Sequence, residues 1–121
     1  MREADLSRRI QLRASELGCR LFRQNVALAW VGELVSNRNG TVTLHNARPL
    51  HAGLCVGSSD LIGWSMDGLF VAIEIKLPGK NPTTAQAAFL KAVASAGGIS
   101  GVARSVEDLE RILATAPSRD P

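Results

Sequence analysis

The segment Leu69-Phe70-Val71-Ala72-Ile73-Glu74-Ile75-Lys76 constrains this chain more than any other. A short run this apolar reads as a strand covered on both faces, and so as a central strand of a sheet. Its end carries two charges. Glu74 and Lys76 are two residues apart, so on a strand they project to one face while Ile73 and Ile75 face the other. A carboxylate and an ammonium at the edge of an apolar run are costly to bury unpaired. Something must sit between or beside them.

The preceding residues supply a partner. Asp60 to Ser65, followed by Met66-Asp67-Gly68, reads as the first strand and the loop of a hairpin that the apolar run completes. With a three-residue loop, Ser65 lies opposite Leu69, and Asp60 lies opposite Glu74 on the same face. Side chains so opposed are about 5 Å apart. Two carboxylates at that distance repel unless a cation bridges them. A two-residue loop at Asp67-Gly68 would shift the register and send the two acids to opposite faces. A metal site here therefore requires the three-residue loop, or a bulge that does the same job. Two carboxylates and a backbone carbonyl form a hard oxygen site suited to Mg²⁺ or Mn²⁺. A neighbouring lysine can orient and help deprotonate an attacking water, or offset charge on a pentavalent phosphate. The chemistry implied is phosphodiester hydrolysis.

The rest of the chain reads as one mixed α/β domain over 1–115 with a single central sheet, followed by a frayed tail over 116–121. Residues 3–17 form an amphipathic helix on the stripe Leu6, Ile10, Ala14 and Leu17, with Gly18 as its stop. Glu3 falls on that stripe, and Arg2, Arg9 and Arg13 lie on another face. A short strand is expected at 19–25 and an extended apolar segment at 26–35. Asn37-Arg38-Asn39-Gly40 is a turn, with Asn-Gly as a hairpin cue. A short strand follows over 41–44. Residues 45–59, with Pro49, Gly53 and Gly57, read as loop. After the hairpin come a loop at 77–82, a helix over 84–96 ending at Gly97-Gly98, a strand at 99–103, and a helix capped by Ser105 and running to about Leu113.

The 121 residues carry a net charge of +3, with fourteen basic residues of which only Lys76, Lys80 and Lys91 are lysines. Arginine suits bidentate phosphate contacts, so the balance raises the odds of a nucleic-acid partner. No apolar run approaches the roughly 20 residues of a membrane span. The N-terminus is polar, unlike a signal peptide. Cys19 and Cys55 are too few for a disulfide framework or a thiolate zinc site. These features predict a protein of the cytoplasm with reduced thiols and no membrane partner.

Gly57-Ser58-Ser59-Asp60, fourteen residues before Glu74-Ile75-Lys76, resembles the active-site signature of the PD-(D/E)XK nuclease superfamily. More narrowly, the chain is similar to the VRR-NUC family in its compact stand-alone form, typical of phages and prophages in bacterial hosts. The likeness extends over Gly57 to Ile62, Ile73 to Pro78, Gln86, Phe89, Gly97-Gly98, Gly101-Val102-Ala103-Arg104-Ser105 and Asp108. Near the N-terminus it includes Glu3, Gly18 and Leu21-Phe22-Arg23-Gln24-Asn25. Ser58-Ser59 stands where the superfamily name has a proline, which is not general in the superfamily.

The resemblance implies a restriction-endonuclease-like mixed sheet flanked by helices. It implies that Asp60 and Glu74 bind Mg²⁺ or Mn²⁺, with the Ile75 carbonyl as a further ligand, and that Lys76 positions the attacking water. Glu3 would match the family's helix-borne acid near the metal. Gln86 would match the polar residue on the helix after the core. The small members resemble homodimers that cut branched or structured DNA, such as four-way junctions and flaps.

Simpler readings stand beside these. Glu3 also fits an acid placed in a first helical turn for its dipole. Thr83-x-x-Gln86 is a capping-box pattern, so Gln86 also fits a cap. Arg23 and Arg104, with Arg9 and Arg13 behind them, are candidate phosphate contacts. Segment 26–35 is either a dimer surface or a buried strand. Trp30 and Trp64 read as core or interface anchors, both cysteines as small core residues, and His45 and His51 as polar surface. The rival functions are a DNA-binding module without turnover and an assembly subunit.

Overall fold

A computed structural model describes residues 1–115. The expected tail over 116–121 lies outside the described residues. The chain runs through α1 (Glu3–Glu16), β1 (Arg20–Arg23), β2 (Ala27–Arg38), β3 (Thr41–Ala52), β4 (Leu61–Trp64), β5 (Phe70–Ile75), α2 (Thr84–Ser95), β6 (Ile99–Ala103) and α3 (Val106–Ala114).

Four strands form the main sheet in the order β1-β4-β5-β6. The apolar strand β5 is internal, antiparallel to β4 and parallel to β6. Val71 through Ile75 are all buried. Leu6, Ile10 and Ala14 from α1 and Leu109 from α3 join Val71, Ile73, Ile75, Leu61 and Ile99 in one core. Ile10, Leu61, Ile73 and Leu109 are fully enclosed, each contributing on the order of 2 kcal/mol by leaving water. Among the described elements, the opposite face of the sheet meets α2 alone. Ser100 Oγ there donates to the Leu90 carbonyl at 2.6 Å. Because α2 covers only β5 and β6, the aromatic pair Phe22 and Trp64, with ring centroids 5.4 Å apart, stays about half exposed.

The β4–β5 connection is the three-residue loop. Ser65 N–H donates to the Leu69 carbonyl at 2.8 Å, and Gly68 N–H to the Ser65 carbonyl at 2.9 Å. Leu61 pairs with Ile73 and Trp64 with Phe70, the register that carries Asp60 to the level of Glu74.

The fold departs from the sequence reading between β1 and β4. Residues 41–44 are only the start of a strand that continues to Ala52, so 45–52 is not loop. Asn39 (φ 50°) and Gly40 (φ 78°) both take left-handed backbone, the requirement of the tight turn that joins β2 to β3. Two register irregularities in the β2–β3 ladder, and Asn46 at φ 54°, break the alternation that would have marked a strand. Pro49 pairs opposite Trp30. It is tolerated because each strand of a two-stranded ribbon is an edge. The ribbon is a second sheet, so the chain does not have the single sheet expected. Neither β2 nor β3 packs extensively on any other described element. Segment 26–35 is therefore an exposed arm, with Leu28, Trp30 and Leu34 each more than half exposed, and not a buried strand. No helix among the described residues is long and apolar enough to cross a membrane.

Candidate active site

The β4–β5 hairpin sets Asp60 against the end of β5. Asp60 Oδ2 accepts a hydrogen bond from Ile75 N–H at 2.9 Å. Glu74 lies on the face of β5 that meets α2. It is 1% exposed, and its Oε1 accepts from Gln86 Nε2 at 3.3 Å. Its other oxygen, Oε2, is buried with no hydrogen-bond partner among the described residues. Burial first, then the closeness of the Asp60 carboxyl and its charge, push the Glu74 carboxyl up to about 8. Glu3 pushes in the same direction and Lys76 opposes it. A carboxyl so placed holds its proton until a cation compensates the charge.

Gln86 stands on the first turn of α2 and serves two ends. Thr83 Oγ1 accepts from Gln86 N–H at 3.2 Å, and Gln86 Oε1 accepts from Thr83 N–H at 2.8 Å, completing the capping box. The remaining Nε2 donor reaches Glu74. Gly57, just before the Ser58-Ser59-Asp60 segment, abuts the same helix turn. A Cβ there would come within 2.7 Å of Ala85, and its φ of +88° favours glycine.

A cavity of about 250 Å³ opens beside Asp60. It is lined by Glu3, Ala4 and Ser7 of α1, by Arg23 and Asn25 at the end of β1, and by Ile75. A second cleft runs from Arg2 and Glu3 past Lys76 to Lys80 and Asn81. Glu3 borders both hollows, and Lys76 borders the second. Among the described residues, no three His, Cys, Asp or Glu side chains gather as a metal-binding group. The protein ligands on offer are the Asp60–Glu74 pair, within which Glu74 Oε2 is the oxygen left without a partner, and neighbouring main-chain carbonyls. Such oxygen donors fit Mg²⁺ or Mn²⁺.

The four expected arginines differ in what surrounds them. Arg23 borders the cavity. Arg9 is exposed on α1. Arg13 pairs with Glu110 at 2.9 Å and Glu16 at 3.0 Å, tying α1 to α3. Arg104 donates to the Leu77 carbonyl at 3.2 Å, to the Lys80 carbonyl, and to Asn81 Oδ1 at 3.4 Å. Its guanidinium thus clamps the loop that follows Lys76. Gln24, just past the end of β1, carries no motif of its own, yet the structure binds it to the segment leading into Asp60. Its only signal in the sequence is its place in the matched Arg23-Gln24-Asn25 stretch.

A family model described as the VRR-NUC domain matches residues 12–107, most of the chain. The chain belongs to the VRR-NUC family. A comparison with curated proteins finds no match. VRR-NUC domains have a PD-(D/E)XK-like fold, which agrees with the mixed sheet and flanking helices seen here, and the family is one of DNA-interacting nucleases. The VRR-NUC match includes Asp60, Glu74, Lys76, Gln86, Arg13, Arg23 and Arg104. Glu3 and Arg9 lie before its first residue.

Proposed function

We propose that the chain is a divalent-metal-dependent endonuclease that hydrolyses DNA phosphodiester bonds, with branched or structured DNA as substrate. The observation that carries this reading is Glu74 Oε2, a buried carboxylate oxygen with no partner, next to the Asp60 carboxylate. Leaving such an atom unsatisfied is expensive unless a ligand completes it. Asp60, Glu74 and the Ile75 carbonyl would hold Mg²⁺ or Mn²⁺, with Glu3 facing them from α1. The bound cation would supply charge compensation at the scissile phosphate and acidify a water.

The chain's own residues do the rest. Gln86 holds Glu74 Oε1 and so orients Oε2. Ile75 N–H holds Asp60 Oδ2. Lys76, at the end of β5 and bordering the cleft, orients the attacking water and offsets negative charge on the phosphate. Arg23, which lines the cavity, binds a phosphate beside the site, and Arg9, exposed on α1, binds one farther from it.

One such site makes one nick, and resolving a junction takes two related by symmetry. We infer a homodimer built on the β2–β3 arm. A lone two-stranded hairpin is marginal in water, and this one exposes Leu28, Trp30, Leu34, Val35 and Val42. On its resemblance to compact stand-alone members, we read the protein as phage- or prophage-encoded and active in the cytoplasm of a bacterial host.

The test is a panel of single-stranded, duplex, flapped and four-way-junction DNAs incubated with Mn²⁺. The reading expects cleavage that Asp60→Ala and Lys76→Ala each reduce by about a hundredfold or more. Binding without cleavage would favour the non-catalytic module, and activity that survived either substitution would sink the assignment.

A further inference from the structure

Asp60 comes at the end of a segment with little structure of its own. Among the described residues, the main-chain hydrogen bonds of 53–60 outside strands are two: Ser58 N–H to the Cys55 carbonyl at 3.1 Å, and Gln24 N–H to the Asp60 carbonyl at 2.9 Å. A carboxylate meant to act at a fixed point needs more support than that. The Gln24 side chain provides it. Its Nε2 donates to Ser58 Oγ at 2.6 Å and to the Ser59 carbonyl at 2.5 Å. Its Oε1 accepts from Leu54 N–H at 3.2 Å. A primary amide has two N–H donors and one acceptor oxygen, so both donors are used on this one segment, and the oxygen holds it too.

The choice of atoms matters. The Ser59 carbonyl belongs to the peptide plane before the Asp60 Cα, and the Asp60 carbonyl to the plane after it. Gln24 grips the first with its side chain and the second with its own main-chain N–H. With both flanking planes held, φ and ψ of Asp60 are set, and the carboxylate has only its own rotamer left to settle. That rotamer is held in turn by Ile75 N–H on Oδ2. Ser58 and Ser59 are buried, and the Ser59 hydroxyl donates to the Leu61 carbonyl at 2.9 Å, so the two residues that Gln24 Nε2 grips are shielded from water. Leu54 follows directly on the returning strand of the arm, where a Cβ on Gly53 would meet the Asn25 carbonyl at 2.6 Å. The same amide therefore fastens the base of the arm to the segment that delivers Asp60.

We propose that Gln24 is a positioning residue, which holds the Asp60 carboxylate in the geometry that metal binding and catalysis require. The inference rests on the nuclease reading above. It differs from a role in folding alone because it bears on the metal affinity of the folded protein.

The experiment compares wild-type protein with Gln24→Met, which keeps the length and loses every side-chain hydrogen bond, and with Gln24→Glu, which keeps the acceptor for Leu54 N–H and loses both donors. Cleavage of junction DNA is measured as kcat and KM over a Mn²⁺ titration. Mn²⁺ binding without DNA is measured by calorimetry, and folding by circular dichroism and melting. Loss of a support of this kind typically weakens metal affinity or activity by about 10–100-fold. Both variants are therefore expected to stay folded, with weaker Mn²⁺ binding, a lower kcat, and a KM for DNA within about twofold of wild type. If Gln24→Met does not fold, Gln24→Glu carries the comparison alone. Folded variants with wild-type kcat and Mn²⁺ affinity would overturn the proposal. So would a failure of both variants to fold, since that assigns Gln24 to folding alone. A wild-type protein that neither cleaves DNA nor binds Mn²⁺ would overturn the nuclease reading, and this inference with it.

Discussion

Gln86 Nε2 donates to Glu74 Oε1 at 3.3 Å while the same amide's oxygen accepts from Thr83 N–H at 2.8 Å. Helix cap and partner of the buried acid are thus one side chain with two loads. The arrangement ties the start of α2 to the buried acid of β5, and it sets the orientation of an oxygen that has no partner of its own.

The two loads separate by mutation. Thr83→Ala removes the cap from the Gln86 N–H and leaves the Gln86–Glu74 contact possible. It should cost about 1 kcal/mol, a fall of about 4 °C in Tm for a chain of this size, with cleavage nearly unchanged well below Tm. Gln86→Ala should lower Tm by a similar amount and also reduce cleavage by about tenfold or more. Melting curves and initial rates on the same preparations check both.

Stability should depend on pH through Glu74. Its ordinary pKa of 4.5 is raised to about 8 in the folded chain. Between those values the folded state keeps a proton that the unfolded chain has released. The stability linked to Glu74 is therefore complete below about 4.5 and is lost as pH rises to about 8. Metal-free melts from about pH 5 to about pH 9 should show Tm falling and then levelling. Glu74→Gln should remove this group's share of the slope. Mn²⁺ should stabilise the protein more at the alkaline end, where less work is needed to ionise the carboxyl.

The arm should govern assembly without governing the fold. Trp30→Ser with Leu34→Ser removes exposed apolar groups from strands that barely touch the body. Sedimentation should show a shift from dimer to monomer. The Tm of the dissociated protein should change by no more than a few degrees, as surface substitutions generally do. A wild-type monomer at all concentrations would refute the dimer.

Arginines that look alike in the sequence should behave differently on DNA. Arg23→Ala should weaken binding and lower the salt slope by about 1, because Arg23 borders the cavity beside Asp60. Arg104→Ala should leave the slope alone and lower Tm by a few degrees. Its removal strips donors from the part-buried Leu77 carbonyl and the exposed Lys80 carbonyl, a loss of about 1 kcal/mol.

How far the sequence went depends on the range of the interactions involved. The hairpin from Asp60 to Lys76 was legible because its determinants are local. An apolar run specifies burial, a three-residue loop specifies register, and register specifies which residues share a face. The helices were legible from periodicity and caps. The β2–β3 ribbon was only half legible, because its irregular ladder hides the alternation past residue 44. Its status as a free arm, and not a buried strand, depends on what fails to pack against it.

What the sequence determined by itself, then, was that Asp60 and Glu74 meet at the end of a buried strand if the hairpin closes through three residues; that it does so is seen in the fold. What tertiary structure decided was how they are held and what lies around them. Gln24 meets Ser58 and Ser59 across 34 and 35 residues, Arg104 turns to carbonyls 24 and 27 residues away, and Arg13 crosses 97 residues to Glu110. Polar side chains choose partners by proximity in the folded chain, and no period or motif in one dimension records which backbone carbonyl will be within 3 Å of a given amide.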